Sequence, residues 1–246
     1  MKRGCRVATG LGVLLVLAGL ACAANLQAER AKRTLYALSP GSIRARAFER
    51  MLEDSLSNVD AKAFGRPRDL SNALRRRKPQ AVMALAPTLE ANSLTPHLQG
   101  HLGETATEQY LVVSEGVPFT HAALANSTLG IVDVVGRQAM PSFVRRLLSL
   151  SEAPKLRQVT KNADLLPLLH FRRVDAVVIS ESAFVEMRSH SRLDFKVLKL
   201  TSARVRRMAV SLDKRAPGLE TPFHSMPIAA MRRLQIDRFV RTGGPR

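Results

Sequence analysis

The chain has two cysteines in 246 residues, no tryptophan and two tyrosines. Both thiols, Cys5 and Cys22, lie near the N-terminus. A domain that begins after them has none, which excludes disulfide frameworks, thiolate metal sites and cysteine nucleophiles together. Aromatic residues make up 4%, so the stacking platforms that single-strand nucleic-acid binders interleave with basic residues are scarce. Acidic residues are also short, 20 Asp and Glu against 38 Lys and Arg, for a formal charge of +18. Anionic ligands or partners are expected, while the aromatic poverty argues against nucleic acid. No Walker loop and no nucleophile elbow occurs.

One long apolar run is present, from position 7 to 20, with Lys2, Arg3 and Arg6 before it and Ala21-Cys22-Ala23-Ala24 after it. This is the layout of a secretory signal peptide, residues 1–23, and the run is too short and glycine-interrupted for a membrane span. Export to the periplasm is expected. A lipoprotein acylated at Cys22 is the alternative, for which Gly19 is a poor upstream residue. Cleavage takes three positive charges and no acid from the formal +18, leaving +15.

Beyond the leader, short apolar runs alternate with amphipathic stretches, the pattern of an α/β protein with mainly parallel strands. Strands are expected at 35–38, 61–64 and 81–86, with helices at 43–56 and 69–77, the second N-capped by Asp69. Shifting the sequence by 95 positions aligns 34–82 with 129–177 without a gap, with ten identities in 49 positions, against about three by composition. Gly41 matches Gly136, Phe48 matches Phe143, Asp69-Leu70 matches Asp164-Leu165, and Ala81-Val82 matches Ala176-Val177. The second half then reads as strands at 129–133, 156–159 and 175–179 with helices at 138–148 and 163–171. Two such units imply two lobes, each with its own sheet. Residues 33–114 are read as the first lobe and 115–200 as the second. Residues 201–246 return to the first, with a crossing at 114–118, a return crossing at 201–205 and a final helix from 222 to 240.

The stretch Gly130-Ile131-Val132-Asp133-Val134-Val135-Gly136-Arg137, then Asp164-Leu165-Leu166-Pro167-Leu168-Leu169 and Asp175-Ala176-Val177-Val178, resembles the second lobe of periplasmic substrate-binding proteins. The closest branch is the phosphate/phosphonate ABC-transporter type, in the class II periplasmic-binding-protein fold. The resemblance implies a two-lobed protein that closes over a small solute and delivers it to an ABC-type permease, as a monomer and without a cofactor.

In open α/β sheets ligands sit beyond the carboxyl ends of the strands, where backbone N–H groups face outward. Here the corresponding loops carry Ser39, Gly41, Ser42, Thr88, Asp133, Gly136, Arg137, Ser180 and Ser182, with Ser114 at the expected crossing. Ser39 and Ser42 from one lobe, with Gly136 and Arg137 from the other, would hold an oxyanion. Asp133 and Glu181 leave a cationic or zwitterionic ligand open. Catalytic signals are weak: Ser211 and Lys214 have an acyl-enzyme spacing without its partner motifs, and His97 and His101 flank a Gly in a loop. The alternative function is an exported sensor or interaction protein that has lost uptake and meets a polyanion or protein through basic runs such as 75–78 and 204–207.

Overall fold

The computed structural model describes residues 32–214 and 218–243; the expected signal segment, with Cys5 and Cys22, lies outside them. The first half runs β1 (Arg33–Leu38), α1 (Ala45–Ser55), β2 (Val59–Phe64), α2 (Pro67–Arg76), β3 (Ala81–Leu85), α3 (Ala86–Ala91) and β4 (Leu98–His101). Next come β5 (Thr107–Glu115), β6 (Thr128–Val132), α4 (Met140–Leu147), β7 (Lys155–Val159), α5 (Leu165–His170), β8 (Ala176–Ser180), α6 (Glu181–Ser189) and β9 (Phe195–Arg206). The chain continues through β10 (Met208–Leu212), α7 (Glu220–His224), α8 (Ile228–Arg233) and β11 (Arg238–Arg241).

Local patterning explains most of these elements. Helix α1 buries Phe48, Met51 and Leu52 at one-turn spacing and leaves Arg46, Arg50 and Glu53 exposed, the division an amphipathic surface helix requires. Asp69 is not the N-cap of α2. Arg66 holds that position and Pro67 follows it, because proline lacks an N–H and has a fixed φ suited to the first helical residue. Asp69 remains in the first turn, where its charge suits the helix dipole.

The repeat seen in the sequence is structural. A shift of 95 positions carries the start of α1 onto that of α4, both ends of β3 onto β8, and the start of α3 onto that of α6. It also carries Gln80, whose Oε1 accepts from Thr34 N–H at 3.1 Å, onto Asp175, whose Oδ2 accepts from Thr128 N–H at 2.7 Å. Each half thus ties the residue before its third strand to the start of its first.

Two sheets result, ordered β11-β4-β10-β3-β1-β2 and β7-β6-β8-β5-β9. In each the first three strands of a repeat are parallel, and the next neighbour, β10 or β5, runs antiparallel to them. Both sheets are covered on both faces: the first by clusters around Phe48 and Leu70, the second by clusters around Ile131 and Leu165.

Sheet membership moves the expected lobe limits. Residues 107–114, read as first-lobe, pair with β8 and β9 in the second sheet, and 201–206 remain part of β9. The crossings are therefore β4 to β5 and β9 to β10. They run side by side, with Arg207 N–H donating to Ala106 O at 2.9 Å. The expected crossing at 114–118 is instead a turn leaving β5, with Gly116 N–H bonded to Asp194 O. The single helix expected at 222–240 is broken. Pro227 caps α8 after a separate short α7, Gln235 turns left-handed at φ 56°, and 238–241 form β11 against β4. Met226, Met231, Leu234 and Phe239 are buried, whereas Ile228 and Ala229 are exposed.

Candidate functional site

The carboxyl ends of β1, β3, β6 and β8 face one another across the junction of the lobes and enclose a cavity of about 100 Å³. Gly41, Ser42 and Leu85 line it from the first lobe, and Val132, Val134, Asn162 and Ser180 from the second. The crossings supply its most enclosed polar groups, Glu108 and Tyr110 at the start of β5 and Arg207 between β9 and β10, while the exposed Glu186 and Arg233 add one charge of each sign to the lining.

Arg207 and Glu108 are nearly enclosed, with side-chain exposures of 10% and 15%. Their closest approach, 3.7 Å from Arg207 Nη1 to a Glu108 carboxylate oxygen, is an ion pair but too long for a hydrogen bond. Arg207 Nη1 donates instead to Gln235 O at 3.1 Å, and Arg207 Nε is buried without an acceptor among the described residues. A guanidinium has five N–H donors, and a buried donor left unpaired costs about 1–3 kcal/mol or more. Arg207 therefore keeps one donor unpaired within the wall of the cleft. Glu108 in turn accepts from the Ser182 hydroxyl and, at 3.4 Å, from Ser182 N–H at the start of α6. Tyr110 stands beside this group. Burial, and after it the Glu108 charge, push its phenol above the ordinary value, so it stays a neutral hydrogen-bonding group.

Direct contacts between the lobes close this cleft. Thr88 Oγ1 donates to Val134 O at 2.6 Å, Asn162 N–H reaches Gly41 O at 3.4 Å, and Ser182 Oγ lies 2.6 Å from Gln235 Oε1. Thr88 and Ser182, read from the sequence as ligand contacts, are thus bridging residues of the closed form. Ser180 lines the cavity while also capping α6, its Oγ accepting from Ala183 N–H at 3.3 Å.

Other expected contacts are occupied elsewhere. Ser39 Oγ donates to Ile43 O at 2.5 Å inside its own loop, and Ser114 Oγ donates to Val117 O at 2.5 Å in the turn after β5, on the wrong side of the crossing. Asp133 Oδ1 accepts from Gly136 N–H at 2.7 Å, closing a turn in which Gly136 has φ 94°. Arg137 is exposed and does not line the central cavity. Of the expected oxyanion set Ser39, Ser42, Gly136 and Arg137, Ser42 alone lines the central cavity. Gly41 and Ser42 do reach the cavity, and the Ser42 hydroxyl has no hydrogen-bond partner among the described residues. Glu181 is turned away and paired with Lys199 at 3.0 Å. His97 sits in a loop and accepts from Leu212 N–H through Nδ1, and Ser211 is buried in β10. No helix among the described residues is long and apolar enough to cross a membrane.

The residues that charge the cleft were not singled out in the sequence. Arg207 ends a run in which Arg204 and Arg206 are exposed, so it read as one more solvated cation. Glu108 gave no motif. What distinguishes both is adjacency to the crossings, a feature of topology and not of spacing.

No family model matches the chain, and no curated protein matches it in sequence. Solved structures do. XAC2383 from Xanthomonas citri bound to ATP superposes with a TM-score of 0.60 at 15% identity, covering 87% of this chain and 91% of that one. The Bordetella pertussis BvgS VFT2 domain gives 0.55 at 13% identity, covering 87% and 97%. The Salmonella typhimurium periplasmic binding protein STM4351, described for high arginine specificity, gives 0.55 at 14%, covering 82% and 93%. The fold is thus the two-lobed α/β fold of class II periplasmic binding proteins. Nothing in these likenesses singles out the phosphate/phosphonate branch.

Proposed function

We propose that this chain is a binding protein that closes its two lobes over a small solute bearing an anionic group, which docks on Arg207 at the base of the cleft. The observation that carries the reading is the nearly enclosed Arg207, whose Nε lacks an acceptor beside a cavity lined by both lobes. A ligand oxygen there would satisfy the guanidinium. Glu108 and the neutral Tyr110 would select for a ligand that also carries a donor, which favours a zwitterion such as an amino acid over phosphate. The amino-acid binders among the structural neighbours support that preference. The closed cavity, about 100 Å³, is well below the roughly 300–1,000 Å³ of drug-sized sites, so larger ligands require the lobes to part. Ligand contacts made only when the lobes meet would shift the population toward the closed form. With the leader at 1–23, the setting is periplasmic uptake through an ABC-type permease.

Isothermal titration of the exported domain with amino acids, phosphate, alkylphosphonates and a polyanion tests the reading. One small solute should bind, and Arg207→Gln should weaken it at least tenfold. Because that change leaves Glu108 buried without its counter-charge, the Glu108→Gln/Arg207→Gln pair serves as a second variant. Equal affinity in wild type and both variants would sink the assignment. Binding by the polyanion alone, lost in salt, would favour an interaction protein.

A further inference from the structure

Outside the central cavity lies a second, wider one of about 470 Å³, bounded by residues 41–44 of the first lobe and by residues 161–163 and one face of α6 from the second. The two are adjacent and share Gly41, Ser42, Asn162, Ala183 and Glu186 as lining, with the Asn162 N–H to Gly41 O contact at their common wall. The walls of the outer chamber combine apolar side chains, Leu166 and Met187 among them, with two cations from opposite lobes, Arg44 and Lys161. Both cations are exposed, and neither has an ion-pair partner among the described residues. His190, also on the wall, is held by a 2.8 Å contact from Nδ1 to Glu186 O. Glu186 is the acid of this chamber. Two exposed cations against one acid, brought from opposite lobes to one chamber, leave its lining with a net positive charge that an anion would offset.

We infer that the ligand is elongated and carries a second anionic group, a carboxylate or a phosphonate, that sits in the outer chamber between Arg44 and Lys161. This rests on the reading of Arg207 as the inner anchor and deepens it. The apolar wall accommodates the linking carbons. The outer anion bridges cations of different lobes, so it stabilises the closed form more than the open one and adds affinity through closure.

The test compares glutamate and 2-amino-4-phosphonobutyrate with norvaline, which has the zwitterionic end alone, by isothermal titration against wild type, Arg44→Ala/Lys161→Ala and Arg207→Gln. The two compounds with a second anion should bind wild type at least tenfold more tightly than norvaline. That margin should vanish in the Arg44/Lys161 variant while norvaline affinity stays unchanged, and Arg207→Gln should weaken all three. The phosphonate and dicarboxylate arms show which second group is preferred. A margin that survives in the Arg44/Lys161 variant overturns the outer site and leaves Arg207 standing. Indifference of all probes to Arg207→Gln, or no binding of any probe to wild type, overturns the inner anchor and the outer site with it.

Discussion

Asp133 sits in a turn that works against its charge. Burial raises its pKa, more than hydrogen bonds from Gly136 and Val135 N–H and the nearby Arg137 charge lower it. A carboxyl whose folded value lies above its unfolded one contributes most when protonated, and that contribution is lost as pH rises through the folded value. Asp133→Asn keeps an oxygen for Gly136 N–H and removes the charge. It should therefore melt at or above wild type at pH 7.5, with the difference shrinking toward about pH 3 as the wild-type carboxyl takes up its proton. Melting temperatures across that range check it, and a variant less stable at neutral pH would contradict it. The same turn shows the limit of reading side chains from sequence. Gly136 was legible because a strand-to-helix turn needs a residue free to take positive φ, and it does. Which way the Arg137 side chain leaves that turn depends on packing from elements remote in sequence.

At the level of elements, Gln109 carries the irregularity in β5. The pairing of β5 with β9 shifts register between Gln109 and Leu111, which leaves carbonyls without ladder partners. The buried Gln109 amide takes their place, its Nε2 lying 2.8 Å from Leu200 O and 2.9 Å from Ala203 O. Gln109→Leu would fill the space but strand those carbonyls, at about 1–3 kcal/mol. In urea unfolding the midpoint should fall with little change in slope; an unchanged midpoint would mean that water replaces the amide. Helix α1 and strand β3 were legible because their apolar spacing states the period directly. The 222–240 segment was not, since its apolar residues suit a helix face and only Pro227 and the left-handed Gln235 interrupt it.

For the whole molecule, the duplication was the most informative feature, because a shift that preserves glycine, aromatic and strand positions together constrains topology as no single motif does. It revealed two lobes and the ends of the strands that face each other. It left Glu108 and Arg207 obscure, since both lie outside the repeated segment, in the connections that make two units one molecule. Those connections also impose an order in time. Among the described residues, strand β4 pairs only with β10 and β11, β10 lies between β4 and β3, and every strand of the second sheet precedes residue 207. A chain stopped after Arg206 should show native-like amide protection in β6 and β8 and none in β4, measurable by hydrogen exchange; a protected β4 would refute this. The lobe that begins first in the chain is thus completed last. Its sheet waits with a gap in the middle until the second lobe's strands have passed, so the side of the cleft that begins the chain gains its full sheet only when the chain is nearly whole.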